Sequence, residues 1–485
     1  MQTLAAVLLF LAALSPVFAR ELSTQKDIYS TLDVQATLRV ARGEVVQPAK
    51  EETLEIKPWS IPLVHRDAMK GNSNKNNELS YAERMQQRLK RDAARVAAIN
   101  SRLELAVNGI KRSSLKPDSS SSFTMAESDF QSPVVSGMDQ GSGEYFSRIG
   151  VGAPRRDQLM VLDTGSDVTW IQCEPCSDCY QQSDPIYNPA LSSSYKLVGC
   201  QANLCQQLDV SGCSRNGSCL YQVSYGDGSY TQGNFATETL TLGGAPLQNV
   251  AIGCGHDNEG LFVGAAGLLG LGGGSLSFPS QLTDENGKIF SYCLVDRDSE
   301  SSSTLQFGRA AVPNGAVLAP MLKNSRLDTF YYVSLSGISV GGKMLSISDS
   351  VFGIDASGNG GVIVDSGTAV TRLQTAAYDS LRDAFRAGTK NLPSTDGVSL
   401  FDTCYDLSSK ESVDVPTVVF HFSGGGSMSL PAKNYLVPVD SMGTFCFAFA
   451  PTSSSLSIVG NIQQQGIRVS FDRANNQVGF AVNKC

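Results

Sequence analysis

Histidine is scarce in this sequence, which has His65, His256 and His421 among its 485 residues. The three lie far apart along the chain, so none has the close histidine partner of a zinc-binding motif. His256 is followed by Asp257, but no serine stands in a G-x-S-x-G turn that would complete a serine hydrolase triad. Histidine usage therefore argues against a zinc site and against a serine hydrolase.

Signals for nucleotides and nucleic acids are also missing. The glycine-rich run 267–274 lacks the lysine of a phosphate-binding loop and does not fit G-x-G-x-x-G. The chain has 38 Lys and Arg against 46 Asp and Glu, a net charge of -8, and no basic stripe. We expect no nucleic-acid partner and no cofactor.

Apolar runs long enough to span a bilayer are absent. Residues 3–18 form an apolar run that is too short to cross a membrane, and it ends in Val17-Phe18-Ala19, a small-x-small cleavage pattern. No lysine or arginine precedes this run, which is unusual for a secretory signal. We predict a cleaved signal peptide at 1–19, passage through the secretory pathway and no membrane span in the mature protein.

Cysteine is missing from the first 172 residues, whereas all twelve cysteines follow between Cys173 and Cys485. An even number confined to one region indicates a disulfide framework made in an oxidising compartment. Cys173, Cys176 and Cys179 have the spacing of zinc ligands, but no histidine lies near enough to complete a site. We predict disulfides and no metal, and the sequence alone leaves the pairing open.

The leading segment is basic, unlike the rest. Residues 1–125 carry 18 Lys and Arg against 13 Asp and Glu, a net +5, and the remainder carries 20 against 33, a net -13. Ser80 and Glu83 match a capping box, and apolar residues follow at helical spacing with arginines and lysines between them. We predict a basic amphipathic helix near 81–108 that covers the acidic body; an uneven surface composition is the alternative.

A serine-rich stretch follows this helix. It includes Ser119–Ser122 and has little apolar surface to bury, so we predict a linker around 113–129 that proteases cut easily. The segment 20–130 is therefore predicted to be a propeptide.

From about Gly143 the chain is typical of an all-β protein. Short runs rich in Val, Ile, Leu, Tyr and Phe alternate with Gly, Ser, Asn and Asp turns. The expected strands include 144–151, 219–225, 237–242 and 330–340. A single long helix is expected within this region, at 374–387.

One motif occurs twice in this β region. Asp163-Thr164-Gly165-Ser166, the first acidic turn, returns as Asp365-Ser366-Gly367-Thr368, the second acidic turn, and each follows a branched apolar run. Each is also followed later by an apolar-apolar-Gly stretch, Leu268-Leu269-Gly270 in one half and Ile458-Val459-Gly460 in the other. We predict an internal duplication into two β-lobes whose acidic turns face each other.

Two carboxylates brought together in this way can activate water. Glycine in each turn permits close approach, because it has no Cβ. Two carboxyls that share a site do not both ionise readily, so the pair of Asp163 and Asp365 would hold one proton in acid. The charged partner takes a proton from water and the protonated partner donates to the substrate carbonyl. The neighbouring hydroxyls, of Thr164, Ser166, Ser366 and Thr368, can orient both carboxylates.

These motifs resemble the pepsin-type aspartic proteases, and within them the plant nepenthesin-like group and the guard-cell aspartic proteases. The resemblance covers 143–485, and Leu63-Val64-His65-Arg66-Asp67 fits the prosegment of the same group. It implies a bilobal double β-barrel, with lobes at 131–325 and 326–485, a cleft between them and Asp163 and Asp365 as the catalytic pair. Ser366 departs from the animal pepsins, where threonine is usual, but the hydroxyl is retained.

The resemblance also assigns a flap, a mobile hairpin over the cleft. Tyr225, with Gly226, Asp227 and Gly228, matches the flap tyrosine and its turn, and Trp170 matches the tryptophan that supports this tyrosine. An ordinary exposed turn is the alternative. For the cysteines, the resemblance implies the pairs Cys173–Cys176, Cys179–Cys254, Cys200–Cys219, Cys205–Cys213, Cys293–Cys485 and Cys404–Cys446. Asn216, in Asn216-Gly217-Ser218, is a candidate for glycosylation.

The function that these observations predict is an aspartic endopeptidase, active in acid and made as a secreted zymogen. Its expected partners are peptide or protein substrates and its own propeptide, and we expect a monomer. The expected location is extracellular, in the apoplast, with the endoplasmic reticulum or vacuole as alternatives. The alternative function is that of a catalytically silent binding protein of the same fold, similar to the plant inhibitors of glycosidases.

Overall fold

The computed structural model describes residues 28–44, 59–66, 79–109, 144–225, 229–260, 264–282, 288–295 and 303–485. The predicted signal peptide and serine-rich linker lie outside these ranges, as do the predicted flap residues Gly226, Asp227 and Gly228. None of the helices in the described ranges combines the length and the apolar content that a membrane span requires.

Four elements precede the body of the protein: β1 (Tyr29–Asp33), α1 (Val34–Ala41), β2 (Ser60–His65) and α2 (Tyr81–Val107). The predicted capping box at the start of α2 is confirmed. The Ser80 side chain accepts from the Glu83 N–H at 3.3 Å, and the Glu83 carboxylate accepts from the Ser80 N–H at 2.7 Å. These two bonds satisfy donors that the first helical turn leaves without partners.

The first half of the body is made of short strands with two short helices. The strands are β3 (Tyr145–Val151), β4 (Arg156–Asp163), β5 (Trp170–Gln172), β6 (Lys196–Leu197), β7 (Ser211–Cys213), β8 (Cys219–Ser224), β9 (Tyr230–Leu242), β10 (Ala245–Glu259), β11 (Gly267–Gly270), β12 (Ile289–Cys293) and β13 (Ser303–Phe307). The helices are α3 (Asn203–Gln206) and α4 (Phe278–Gln281). Short 3-10 turns lie at Pro189–Leu191 and Arg309–Ala311.

The second half repeats this composition and adds one longer helix. The strands are β14 (Val317–Leu322), β15 (Tyr332–Val333), β16 (Leu335–Val340), β17 (Lys343–Met344), β18 (Val362–Val364), β19 (Thr371–Gln374), β20 (Ser394–Thr395), β21 (Cys404–Asp406), β22 (Ser412–Pro416), β23 (Val418–Phe422), β24 (Ser427–Ser429), β25 (Leu436–Pro438), β26 (Thr444–Phe447), β27 (Phe449–Thr452), β28 (Ser457–Val459), β29 (Ile467–Asp472) and β30 (Gln477–Val482). The helices are α5 (Thr375–Gly388) and α6 (Asn461–Gln464), with 3-10 turns at Asp349–Val351 and Ala432–Asn434. The all-β prediction for this region is confirmed.

Both halves hold their acidic turn in the same way. In the first half β4 lies parallel to β11, and Asp163 is in register with Gly270. In the second half β18 lies parallel to β28, and Val364, which precedes Asp365, is in register with Val459. Each apolar-apolar-Gly stretch therefore runs beside the strand that delivers an aspartate, as the predicted duplication requires.

A shared sheet links the two halves and includes a strand from the leading segment. Strands β12, β29, β30 and β14 are joined in that order by antiparallel pairing. On the other side of β12 lies β13, and β2 pairs with β13 and also with β3. The leading segment is thus hydrogen-bonded into the body, and β1 adds to the second half through β22.

The disulfides in the first half correct the pairing implied by resemblance. Parallel pairing of β5 with β10 sets Ile171 beside Cys254, and the Cys173 N–H donates to the Gly255 carbonyl at 2.8 Å. Cys173 therefore bonds Cys254, with the Cα atoms 5.3 Å apart, instead of Cys176. Cys179, which was expected to bond Cys254, bonds Cys176 across a local turn.

The other two expected pairs of the first half are also wrong. The structure has Cys200–Cys213 and Cys205–Cys219, where Cys200–Cys219 and Cys205–Cys213 were expected. Cys205 and Cys219 are both buried in the same apolar cluster, so they meet there, whereas Cys213 lies at the surface and meets Cys200. The bridges interleave and are not nested. In the rest of the body, the pairs are Cys293–Cys485 and Cys404–Cys446, as the resemblance implied.

Candidate active site

The two acidic turns meet face to face, and threonine from the first turn joins them. Asp163 and Asp365 are buried, with 2% and 1% of their surface exposed. The Thr164 hydroxyl donates to Asp365 Oδ1 at 3.1 Å and accepts from the Ser366 N–H at 3.0 Å. The first acidic turn therefore binds both the aspartate of the second acidic turn and the backbone of the residue that follows it.

Each carboxylate is also held by a hydroxyl three residues further along its own turn. The Ser166 hydroxyl donates to Asp163 Oδ2, and the Thr368 hydroxyl donates to Asp365 Oδ2 at 2.6 Å. The Gly165 N–H adds a bond to Asp163 Oδ1 at 2.9 Å. The Oδ2 atoms are the outer oxygens of the pair, and the Oδ1 atoms are the inner oxygens. The motif thus gives each carboxylate a donor on its outer oxygen, which fixes the plane of the carboxylate.

Gly165 lies between the two carboxylates. A Cβ built on this residue would clash with the guanidinium of Arg95 from α2 and would lie 3.4 Å from Oδ1 of Asp163 and of Asp365. Any side chain would therefore extend into the space where the two carboxylates meet, which a reacting water and a peptide bond would need.

An arginine from α2 occupies that space. Arg95 Nη2 contacts Asp163 Oδ1 at 2.5 Å and Asp365 Oδ1 at 2.9 Å, and its Nε donates to Asp365 Oδ2 at 2.9 Å. Arg102, two turns further along the helix, donates to the Gly165 carbonyl at 2.5 Å. The basic helix therefore lies directly over both acidic turns.

The charge of Arg95 dominates the electrostatics of Asp163. Burial alone would raise the pKa of this carboxyl, but the guanidinium, the Ser166 hydroxyl and the Gly165 N–H together hold it below its usual value. Asp163 is thus stabilised in its charged form while α2 stays in place.

Tyr225 and Trp170, which the resemblance assigns to the flap and its support, contact each other. The Trp170 indole Nε1–H donates to the Tyr225 hydroxyl at 2.7 Å. Strands β8 and β9 form a hairpin, and the Tyr225 N–H donates to the Ser229 carbonyl at 2.8 Å across its tip. Trp170 is fully buried, so it gives Tyr225 a fixed hydrogen-bond partner.

A second charged cluster binds α2 to the body. Glu144, buried just before β3, contacts Arg88 at 3.1 Å, Arg91 at 3.1 Å and His65 of β2 at 3.3 Å. Arg88 also donates to the Asn461 side chain at 2.7 Å, and Asn461 donates in turn to the Ser366 carbonyl at 2.9 Å. This cluster therefore reaches the second acidic turn.

The individual residues of α2 that enter the site were not predicted from the sequence. The basic face was predicted, but the roles of Arg88, Arg91, Arg95 and Arg102 were not. Their spacing of three, four and seven residues places all four on one face of a helix, and this signal could have singled them out.

Two other kinds of site were considered from the sequence, a glycosylation site at Asn216 and a metal site. Asn216 is exposed in a turn, where a glycan would have room, and its glycosylation stays a prediction. Within the described ranges, no cluster of three or more His, Cys, Asp or Glu side chains has the geometry to hold a metal ion.

Comparison with known proteins shows the family. Two family models match, Xylanase inhibitor N-terminal over residues 145–309 and Xylanase inhibitor C-terminal over residues 330–482. Protein ASPARTIC PROTEASE IN GUARD CELL 2 of Arabidopsis thaliana is 52% identical, over 88% of this chain and 88% of the relative. The chain belongs to the plant aspartic protease family. Another member, aspartic proteinase nepenthesin-1 of Nepenthes gracilis, is 42% identical over 73% of this chain and 81% of its own length.

Solved structures agree on the fold of this family. The crystal structure of edgp matches with a TM-score of 0.59 and 18% identity, over 70% of this chain and 91% of edgp. Conglutin gamma, a basic 7S globulin from lupine seeds, matches with a TM-score of 0.55 and 19% identity, over 70% of this chain and 92% of the globulin. At these identities the match shows the fold alone.

Proposed function

We propose that this chain is an aspartic endopeptidase that hydrolyses peptide bonds in acid, with Asp163 and Asp365 as its catalytic pair. The observation that carries the proposal is the joining of two buried carboxylates through Thr164 across two glycine-containing turns. The names of the family members, which are aspartic proteases, support the same activity.

The mechanism follows from the way the carboxylates are held. Two carboxyls in one buried site share a proton, because a second negative charge beside the first is unfavourable. The charged carboxylate accepts a proton from water as that water attacks the peptide carbonyl, and the protonated carboxyl donates its proton to the carbonyl oxygen. The hydroxyls of Ser166 and Thr368 occupy the outer oxygens, so the inner oxygens face the reacting water.

We further propose that the chain is a secreted zymogen. Arg95 lies where water and substrate would bind, and its guanidinium contacts both aspartates, so the dyad is blocked while α2 stays docked. The helix that carries it precedes the predicted linker, so a cut in that linker would free the cleft. The twelve cysteines, all in the six disulfides, support passage through an oxidising compartment.

Substitution of either aspartate tests the catalytic assignment. Asp163→Asn and Asp365→Asn each remove the ability to share a proton, so casein digestion at about pH 4 should fall by more than about a thousandfold. A peptide mimic with a tetrahedral hydroxyl at the cleaved position should inhibit the unaltered enzyme.

Asp355→Asn is the matched control, since Asp355 serves only an exposed turn through the Ser357 and Asn359 N–H groups. It should digest casein at the unaltered rate. Full activity in either dyad variant would end the proposal.

A binding protein is the alternative, and the xylanase-inhibitor names of the matching family models favour it. Both acidic turns and Tyr225 are present in this chain, and an inhibitor would not need them. We therefore prefer the protease to the binding protein. An acid-treated chain that digests no protein but inhibits a xylanase would reverse this preference.

A further inference from the structure

Asp92, a carboxylate on α2 three residues before Arg95, is bound beside the second acidic turn. Asp92 is 3% exposed. Its Oδ1 accepts from the Ala369 N–H at 2.6 Å and from the Val370 N–H at 3.1 Å, and its Oδ2 accepts from Arg372 Nη2. One guanidinium and two backbone amides therefore surround a single carboxylate.

This carboxylate site is continuous with the second acidic turn. Ala369 follows Thr368, whose hydroxyl holds Asp365, and Arg372 lies on β19 directly after the turn. All three donors belong to the body of the protein, whereas Asp92 belongs to the helix that must leave the cleft. Release of α2 would remove the acceptor and leave the donors facing the substrate.

The site loses its counter-charge when α2 leaves. With the helix in place the Arg372 side chain is 7% exposed, and its other terminal nitrogen, Nη1, donates to the Val370 carbonyl at 3.2 Å. Without Asp92 the guanidinium has no carboxylate partner at this site, and arginine does not lose its proton to compensate. A substrate main-chain carbonyl could accept from the amides, but only an anion replaces the charge of Asp92.

We propose that Arg372, with the N–H groups of Ala369 and Val370, forms a subsite for an acidic side chain of the substrate, which Asp92 occupies in the uncleaved chain. This inference rests on the proposed function, because it requires that α2 leaves and that a peptide takes its place. Substrate carboxylates bind there with the geometry that Asp92 shows, close to Asp365. Aspartate or glutamate at one position near the cleaved bond therefore favours cleavage.

Two peptide series on the acid-treated full chain test this subsite. Both series are built on one cleavable sequence. In the first series each peptide carries a single Asp at a different position around the cleaved bond. In the second series Asn stands at the same position in each peptide. At about pH 5, where a free Asp side chain is charged, kcat/KM should favour Asp over Asn by about tenfold or more at one position. The preference should fade towards about pH 3, as the substrate carboxyl is protonated.

The paired peptides differ only in one Asp or Asn side chain, so the ratio of their kcat/KM values reports the effect of the substrate carboxyl alone. Any effect of pH on the dyad changes both rates alike, because the paired peptides meet the same enzyme. Glu144 also acts on the carboxylate bound at this site, but as a repulsion that cannot produce a preference for Asp, so Glu144→Gln should leave the position of the preferred Asp unchanged. A preferred position that moved in this variant would show that Arg372 does not set it and would overturn the proposal.

Arg372→Met should abolish the Asp preference while the Asn peptides are still cut, and Arg372→Lys should keep part of it. The control Arg155→Met, at an exposed surface ion pair, should keep all of it. If Arg372→Met fails to fold, the ratios on the unaltered protein still decide. Equal cleavage of Asp and Asn peptides at every position overturns the subsite alone, and no cleavage of either series overturns the proposed function as well.

Discussion

One guanidinium controls the state of the dyad. Arg95 contacts three of the four carboxylate oxygens of Asp163 and Asp365, and its side chain is 12% exposed. Arginine suits this position because its planar fork offers several donors at fixed angles, where lysine has a single point charge. The charge of Arg95 helps to hold the pKa of Asp163 below the usual value.

Removal of this guanidinium should loosen α2. Arg95→Met leaves two buried carboxylates side by side without a cation, which should weaken docking of the helix by about 3–5 kcal/mol. Processing of the purified chain at about pH 5, followed on gels, should become at least about tenfold faster than in the unaltered protein. Lys90→Met, at an exposed position of the same helix, is the control and should change nothing. Identical time courses for the Arg95 and Lys90 variants would contradict this role.

At the scale of elements, α2 is held by two kinds of contact. Its apolar residues pack in two groups against the second half. Met85 and Leu89 lie with Ala369, Val370 and Ile462, whereas Val96, Ile99 and Leu103 lie with Phe330, Tyr332 and Ile458. Its arginines face the acidic turns and Glu144. The apolar contacts do not depend on pH, so any acid sensitivity must come from the charged contacts.

Glu144 is the best placed of these groups to sense acid, because it joins α2 and β2 to the start of β3. Burial alone would raise its pKa, but Arg88, His65 and Arg91 together hold it well below its usual value of 4.5. A carboxyl whose pKa is lowered by docking stabilises the docked state above its free pKa. This stabilisation is lost as the pH falls from about 4.5 towards the lowered value.

The pH dependence of processing should therefore change when this carboxyl is removed. Glu144→Gln abolishes the contribution at every pH, so the variant should be processed at a higher pH than the unaltered chain and with a shallower pH dependence. The measurement is the pH at which half of the chain is processed in a fixed time. Glu104→Gln, exposed on the same helix, is the control. An unchanged midpoint in Glu144→Gln would show that other groups set the acid response.

At the scale of the whole molecule, the leading segment is part of the fold. Strand β2 completes the sheet between β3 and β13, and α2 fills the cleft in front of both acidic turns. The chain between the end of α2 at Val107 and the start of β3 at Tyr145 contains the predicted linker. A cut there leaves every strand from β3 onward intact, and the piece that is cut off carries β1, α1 and β2 together with α2.

The amino terminus of the active form tests this arrangement. Acid treatment should yield a species that begins downstream of α2, in or near residues 113–129, because proteases reach a serine-rich linker more easily than a docked helix. Sequencing of the active species by Edman degradation or mass spectrometry gives the first residue. An active form that begins upstream of Ser80 would mean that the helix stays attached, and would contradict release by cleavage.

Local sequence signals predicted much of this protein. The capping box at Ser80 and the β-rich body depend on residues close in sequence, and the structure has both. The pairing of Asp163 with Asp365 was also predictable, because a repeated motif in a duplicated chain carries its own symmetry. These features need no knowledge of distant contacts.

Other features depend on packing between residues far apart in the chain. Cys173 meets Cys254 because β5 lies beside β10, and neither cysteine spacing nor resemblance revealed that register. The basic helix was predictable from its charge, but the contacts of Arg95 with the dyad and of Asp92 with Arg372 depend on where α2 docks. The sequence by itself therefore determined the chemistry, two carboxylates on matched turns. The tertiary structure decided which side chains of α2 contact these carboxylates and which donors of the body bind Asp92, since both depend on contacts between distant segments.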